Sequence, residues 1–251
     1  TSILSIALIS PISIQSAKAA VNDLATVANA TTAANLLLDG ATGITLTGTP
    51  TLIANNASYA LKQYSSIDQG TGRQIGSPGI FLDTKGSSAS GNGATNIAIR
   101  DKLVSVLSAG GYTTTVTQFT SLTFQVQADS ATSSVSMNYV FASREQCGQD
   151  WDVAAVLVDN TNYAYLANGK VIRVNPASGN AAISPTSQFS GINCWSPVQT
   201  IVGIFNKTAN PPNGAGISTH TITIVVADTG DTAVPSTFMV SMVRGGNETS
   251  G

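Results

Sequence analysis

Residues 113–143 read "TTTVTQFTSLTFQVQADSATSSVSMNYVFAS". Thr, Val, Phe and Tyr crowd two runs within it, 113–127 and 133–143, and these residue types fit a pleated, half-buried sheet. Runs of the same kind follow at "DVAAVLVD" (152–159), "GKVIRVN" (169–175), "SPVQTIVGIFN" (196–206), "STHTITIVVAD" (218–228) and "STFMVSMVR" (236–244). Turn clusters such as Asn168-Gly169 and Asn210-Pro211-Pro212-Asn213-Gly214 separate them. Strands punctuated in this way predict a mainly β fold, an antiparallel, jelly-roll-like β-sandwich. Upstream, "GITLTGTPTLIANN" (43–56) and "SPGIFLDT" (77–84) read as strands too.

One or two short helices are expected beside the sheets. Val21, Leu24, Val27 and Ala28 have helical spacing within 16–38, and Asp39-Gly40 supplies a stop. "NIAIRDKLVSVLSAGGY" (96–112) puts Ile97, Leu103, Val104 and Leu107 on one helical face, ended by Gly110-Gly111.

The chain has 251 residues, 42% of them hydrophobic, enough for a sizeable core. Charged residues make up 10%, against roughly a quarter in an ordinary soluble domain. A net charge of −2 with 11 Lys and Arg gives no electrostatic footprint for nucleic acid. After Ala19 no run of 18 apolar residues appears, so no membrane span is expected in the body. So little charge gives weak protection against self-association, which suits a chain that assembles.

The opening "TSILSIALISPISIQSAKAA" divides two accounts of the N-terminus. Ala17-Lys18-Ala19 has the small-x-small form of a signal-peptide cleavage site. Alternatively Leu4, Ile6, Leu8, Ile12 and Ile14 lie along one side of an extended strand, with Pro11 forfeiting one ladder bond. Residues 1–19 are thus a separate apolar segment, a donor strand or a signal remnant, ahead of a single sandwich domain at 20–251. Cys147 and Cys194 are expected to form a disulfide in an oxidising compartment. A loop of that length contributes about 4 kcal/mol in the chain-entropy account.

"VSMNYVFASREQ" (135–146), then "WDVAAVLVDNTNYAYLANGKVIRVN" (151–175) and "HTITIVVADTGDTAVPSTFMVSM" (220–242), together with "LLLDGATGITLTGTP" (36–50) and "GSPGIFLDT" (76–84), resemble in order the choice-of-anchor L domain family. The resemblance covers about residues 32–244 and implies a secreted domain of a prokaryotic cell surface. The family's acidic pair after Ala-Ser is here Arg144-Glu145, and its Gly-Asp-x-x-Leu element is reduced to "GNGATNIAI" (91–99). If family members hold metal through those acids, the resemblance implies that this chain has lost part of the set.

Catalysis is not expected. His220 is the one histidine, so conventional triads and zinc sites lack ligands. Glu145, Asp150 and Asp152, with Asp228 and Asp231 on a glycine-bearing turn, are the candidate metal ligands, and calcium is the cation such oxygens would take. The structural alternative is that the turn aspartates bond backbone donors. No other cofactor is expected. Trp151 and Trp195 either brace the cysteine-bearing end of the sandwich or form a platform for a sugar. Asn29, Asn56, Asn206 and Asn247 begin N-x-Ser/Thr sequons.

These features point to an extracellular or cell-surface structural protein, a subunit of a pilus-like filament made of copies of itself. Residues 1–15 would complete a neighbour's sheet, and no hydrophobic tail follows "SMVRGGNETSG" to hold the chain elsewhere. The alternative is a monomeric secreted adhesion or ligand-binding module whose partner is a surface glycan.

Overall fold

The computed structural model describes residues 20–250, apart from 55, 69–73, 87, 90–92, 146–151, 175–183, 186–193 and 231–233. The expected intermolecular strand (Leu4, Ile6, Leu8, Ile12, Ile14) therefore lies outside the described residues, as do Cys147, Asp150, Trp151 and Asp231.

The fold is mainly β, with antiparallel sheets. The first sheet runs β14 (Ser184–Pro185), β15 (Cys194–Trp195), β10 (Ser134–Ser143), β18 (Ser236–Gly246), β7 (Gly79–Asp83), β4 (Leu61–Tyr64) and β2 (Ala25–Thr26). β16 (Gln199–Ile204) also pairs with β10. The second runs β12 (Thr161–Asn162), β11 (Val153–Val158), β17 (Ser218–Thr229), β9 (Val116–Ala128) and β3 (Ile44–Ile53), with β13 (Ile172–Arg173) on β11 and β8 (Ser88–Ala89) on β9. A small third sheet holds β1 (Ala20–Asn22), β5 (Ser66–Asp68) and β6 (Gln74–Ile75).

Side-chain alternation builds three apolar layers from these strands. Leu82, Tyr139, Phe141 and Phe238 from the first sheet meet Leu122, Phe124, Val156 and Ile224 from the second, forming the inter-sheet core. Their chain neighbours Phe81, Val140 and Met239 point the other way and pack with Ile67 and Ile75 of the small sheet. On the second sheet Phe119, Ala155, Leu157 and Val225 face outward, in one cluster with Ile99, Leu103 and Leu107 of α3 (Gly93–Ala109). The middle of each sheet is therefore covered on both faces, while Gln125, Gln127 and Thr219 on the second sheet and Thr200 on β16 stay exposed. This explains why "VAAVLV" of β11 is an unbroken apolar run, buried at every position. Tyr139 and Phe238 add a tilted ring pair with centroids 5.3 Å apart, a geometry worth about 0.5–1.5 kcal/mol beyond burial.

α3 fills the expected 96–112 stretch, and Gly111 closes its end at φ 80°. At 17 residues it is longer than the short helices expected. The 16–38 stretch differs more. Val21 lies in β1 opposite Ile67, and α1 (Ala30–Leu37) begins only where Asn29 caps it, its side chain accepting from Thr32 N at 2.9 Å. Capping and strand pairing outweigh the apolar spacing upstream, and Leu24 stays exposed. A third helix, α2 (Ala57–Ala60), is a single turn.

Candidate functional site

One end of the inter-sheet core is closed by a polar layer. β10, β11 and β17 finish or start there, which brings Asp228 and Glu145 near enough to Asp152 for their charges to act on it; these are three of the five carboxylates expected to hold metal. All three are buried. Asp152 accepts from Ser236 Oγ at 2.6 Å and from Thr229 N at 3.4 Å. Asp228 accepts from Gln118 Nε2 at 2.8 Å. Burial, reinforced by the charges of Asp228 and Glu145, pushes the Asp152 carboxyl up to about 8. Near pH 7 this carboxyl keeps its proton. Among the described residues no three His, Cys, Asp or Glu side chains form a group that could hold a metal ion.

Asp83 sits at the same end and was not anticipated from sequence. It accepts from Lys85 N at 2.7 Å and Thr237 Oγ1 at 3.2 Å, and pairs with Arg144 at 3.5 Å. Burial nevertheless dominates and leaves its carboxyl above the ordinary carboxylate value. Arg144, the departure from the resembled family's acidic pair, thus has an ion-pair partner on β7. The one signal available was the acid closing the apolar run "GIFLD".

Cys194 is fully buried at this end, its Sγ 3.4 Å from the Glu145 carbonyl oxygen. Trp195 is buried as well, in the cluster with Phe81 and Met239. The burial of this indole accords with bracing, the first of the two readings given above for the tryptophans.

A second polar constellation lies inside β17. His220 Nδ1 is 2.6 Å from Asp159 Oδ2, and Nε2 is 2.7 Å from Ser218 Oγ. Ser218, His220 and Asp159 stand in the order of a Ser-His-Asp relay. Their surroundings oppose that chemistry. His220 has 0% exposure and Ser218 1%, and Phe205 stacks on the imidazole with centroids 4.0 Å apart. A nucleophile enclosed in this way meets no substrate. Asp159 instead clamps the chain, accepting from Asn206 N at 2.8 Å and Thr221 N at 3.0 Å. Burial pushes its carboxyl up, but the bonds from His220, Thr221 and Asn206 outweigh it and hold it below the usual range. The relay spans 61 residues between Asp159 and His220, a separation that strand-level sequence reading does not join.

The surface carries a groove of about 390 Å³ between α3 and the β11–β12 hairpin, lined by Asp101, Lys102, Ser105, Asn160 and Tyr165 among others. It continues past Tyr165 to Gly169 and Lys170. Tyr165 is 43% exposed and its backbone is held by the Tyr139 hydroxyl, which donates to its carbonyl at 2.5 Å. All four sequon asparagines are exposed; Asn29 and Asn206 also use Oδ1 to accept nearby backbone N–H groups.

No helix among the described residues is long and apolar enough to cross a membrane. Compared with protein-family models, curated proteins and solved structures, the chain finds no match in any of the three.

Proposed function

We propose that this chain is a non-catalytic structural subunit of an extracellular filament, with residues 20–251 as one sandwich domain and residues 1–15 as the strand that joins successive copies. The observation that carries the reading is the closure of the body. α3 and the small sheet cover the middle of the outer faces, and the relay-like trio is sealed. Available for association are the sheet edges among the described residues, together with a segment bearing Leu4, Ile6, Leu8, Ile12 and Ile14 on one side. Strand addition of this kind draws affinity from main-chain bonds and register from alternate side chains. The low charge, the cysteine pair and the exposed sequons favour an extracellular setting, in keeping with the resemblance to choice-of-anchor L domains. The reading requires neither calcium nor any cofactor.

Deletion of residues 1–15 is expected to give soluble monomers by sedimentation velocity, under conditions in which the full chain forms filaments visible by electron microscopy. Filaments from the shortened chain would overturn the reading.

The groove at Tyr165 favours a second reading, a saccharide-binding surface module. An exposed ring on a tethered backbone is a stacking platform, and Lys102 and Lys170 flank it. Calorimetry with hexagalacturonate is then expected to show binding that weakens about tenfold, or 1.4 kcal/mol, in Tyr165→Ala. Equal binding by wild type and variant, or none by either, removes this reading.

A further inference from the structure

We propose that the edge of β16, Gln199–Ile204, that is unpaired among the described residues is the acceptor for residues 1–15 of a second copy of this chain. The proposal rests on the filament reading and names the surface it uses.

Natural sheets defend their edges with short strands, bulges, prolines and charges. Most edges here are defended in that way. β2, β8, β12, β13 and β14 are two residues each, and β1 and β6 of the small sheet are three and two. β3 is long, but its register against β9 shifts between Thr47 and Thr51, Gly48 has φ 64°, and Pro50 interrupts the strand.

β16 carries none of these devices. Its sequence "QTIVGI" has no charge and no proline, and it pairs with β10 without a break from Gln199↔Tyr139 to Ile204↔Ser134. Among the described residues no other strand pairs with it; Thr200 Oγ1 donates to Asn138 Oδ1 of β10 at 2.9 Å, and Tyr163 Oη donates to the Ile204 carbonyl at 3.3 Å. The remainder of this edge, from Gln199 to Gly203, is a template for another strand.

The segment matches this template in length and pattern. Six residues of strand span about 20 Å, which residues 3–10, "ILSIALIS", provide before Pro11 costs a ladder bond. On β16, Ile201 faces the inter-sheet core, while Thr200 is exposed. An added strand would set Leu4, Ile6 and Leu8 beside Ile201 and extend the core sideways. Gly203 permits the second sheet to come close here, since a Cβ on it would lie 2.5 Å from Val158 Cγ2.

The opposite side of the first sheet suits a donor. Ser65, directly after β4, donates its N–H to the Asn22 carbonyl at 3.1 Å and its hydroxyl to Asp23 at 2.5 Å. β1 therefore ties the start of the body near β4, four strand spacings or about 19 Å from β16. Donor and acceptor at opposite edges make a head-to-tail contact, which propagates instead of closing.

Hydrogen exchange of the full chain, assembled against dissociated, tests the assignment. Amides of 199–204 are expected to slow by about tenfold or more on assembly, while those of 44–53 stay unchanged. Val202→Lys should raise the concentration needed for assembly by about tenfold, because an edge lysine opposes strand addition. Thr200→Lys, at an exposed position, serves if the first variant melts early, and Thr49→Lys on β3 should have no effect. Unchanged exchange at 199–204, in a chain whose assembly still needs residues 1–15, overturns the acceptor and leaves the filament reading standing. Assembly that persists without residues 1–15 overturns both.

Discussion

Asp152→Asn is expected to raise the melting temperature at pH 9 by about 5 °C or more, and to flatten the fall of stability with pH. The folded-state carboxyl titrates at about 8, from an ordinary value of 3.8. Between those values the folded chain binds a proton that the unfolded chain has released. Stability therefore declines as pH rises across this window, by at most about 1.4 kcal/mol per pH unit for one proton. Below the lower value both states are protonated and this contribution is fully present; it is lost as pH passes through 8. Asn has the same shape without the ionisation, so the alkaline loss disappears. At pH 5 the variant should melt close to wild type or slightly below, since the bond with Ser236 must be rearranged. For a chain of this size one kcal/mol moves the melting temperature by about 2–4 °C. Thermal melts by circular dichroism from pH 4 to 9 provide the check, and an unaltered slope in the variant would contradict the proton held on Asp152.

Asp159→Ala is expected to cost about 2–4 kcal/mol in denaturant unfolding, chiefly because it strips the partner from His220, which stays buried, and also from the part-buried Thr221 N and the exposed Asn206 N. Asn206 N, Thr221 N and His220 Nδ1 would all lose their acceptor together. The wild-type carboxyl is held below its ordinary value, so the stability it supplies is present above about pH 4 and drains away as pH falls through the folded value. This is the reverse of Asp152, and the two together predict a stability maximum on the acidic side of neutrality. Ser218→Ala should cost about 1 kcal/mol. A relay used for catalysis would behave otherwise, with ester turnover vanishing in Ser218→Ala while stability barely moved.

The sandwich was legible because β-rich runs alternate with turn clusters over 113–244, and the α3 helix because its apolar spacing ends at two glycines. α1 was half legible. The apolar spacing of Val21 and Leu24 suggests a helix, yet strand pairing with β5 and the Asn29 cap decide otherwise, and neither is visible locally. Carboxylates close in sequence to β10 and β11 were recognisable as a group. Asp83 joins their end of the sandwich through the first sheet, across 61 residues to Arg144, a distance that only register reveals. His220 was visible as a residue inside a strand-like run, with its burial left open; its partner Asp159 was hidden in a hairpin turn, at φ 49°. The undefended edge of β16 was hidden for another reason. Whether a strand lies at an edge depends on the order of strands in the sheet, which the run "QTIVGI" does not encode by itself.

The central claim is that residues 1–15 of one copy add to another. Photoreactive leucine in place of Leu8, in a mixture of isotopically heavy and light full-length chains, addresses it directly by mass spectrometry of the crosslinked peptides. The account predicts heavy–light crosslinks joining the N-terminal segment to peptides containing 199–204. Crosslinks confined to heavy–heavy and light–light pairs, the mark of a segment lying on its own body, would contradict it.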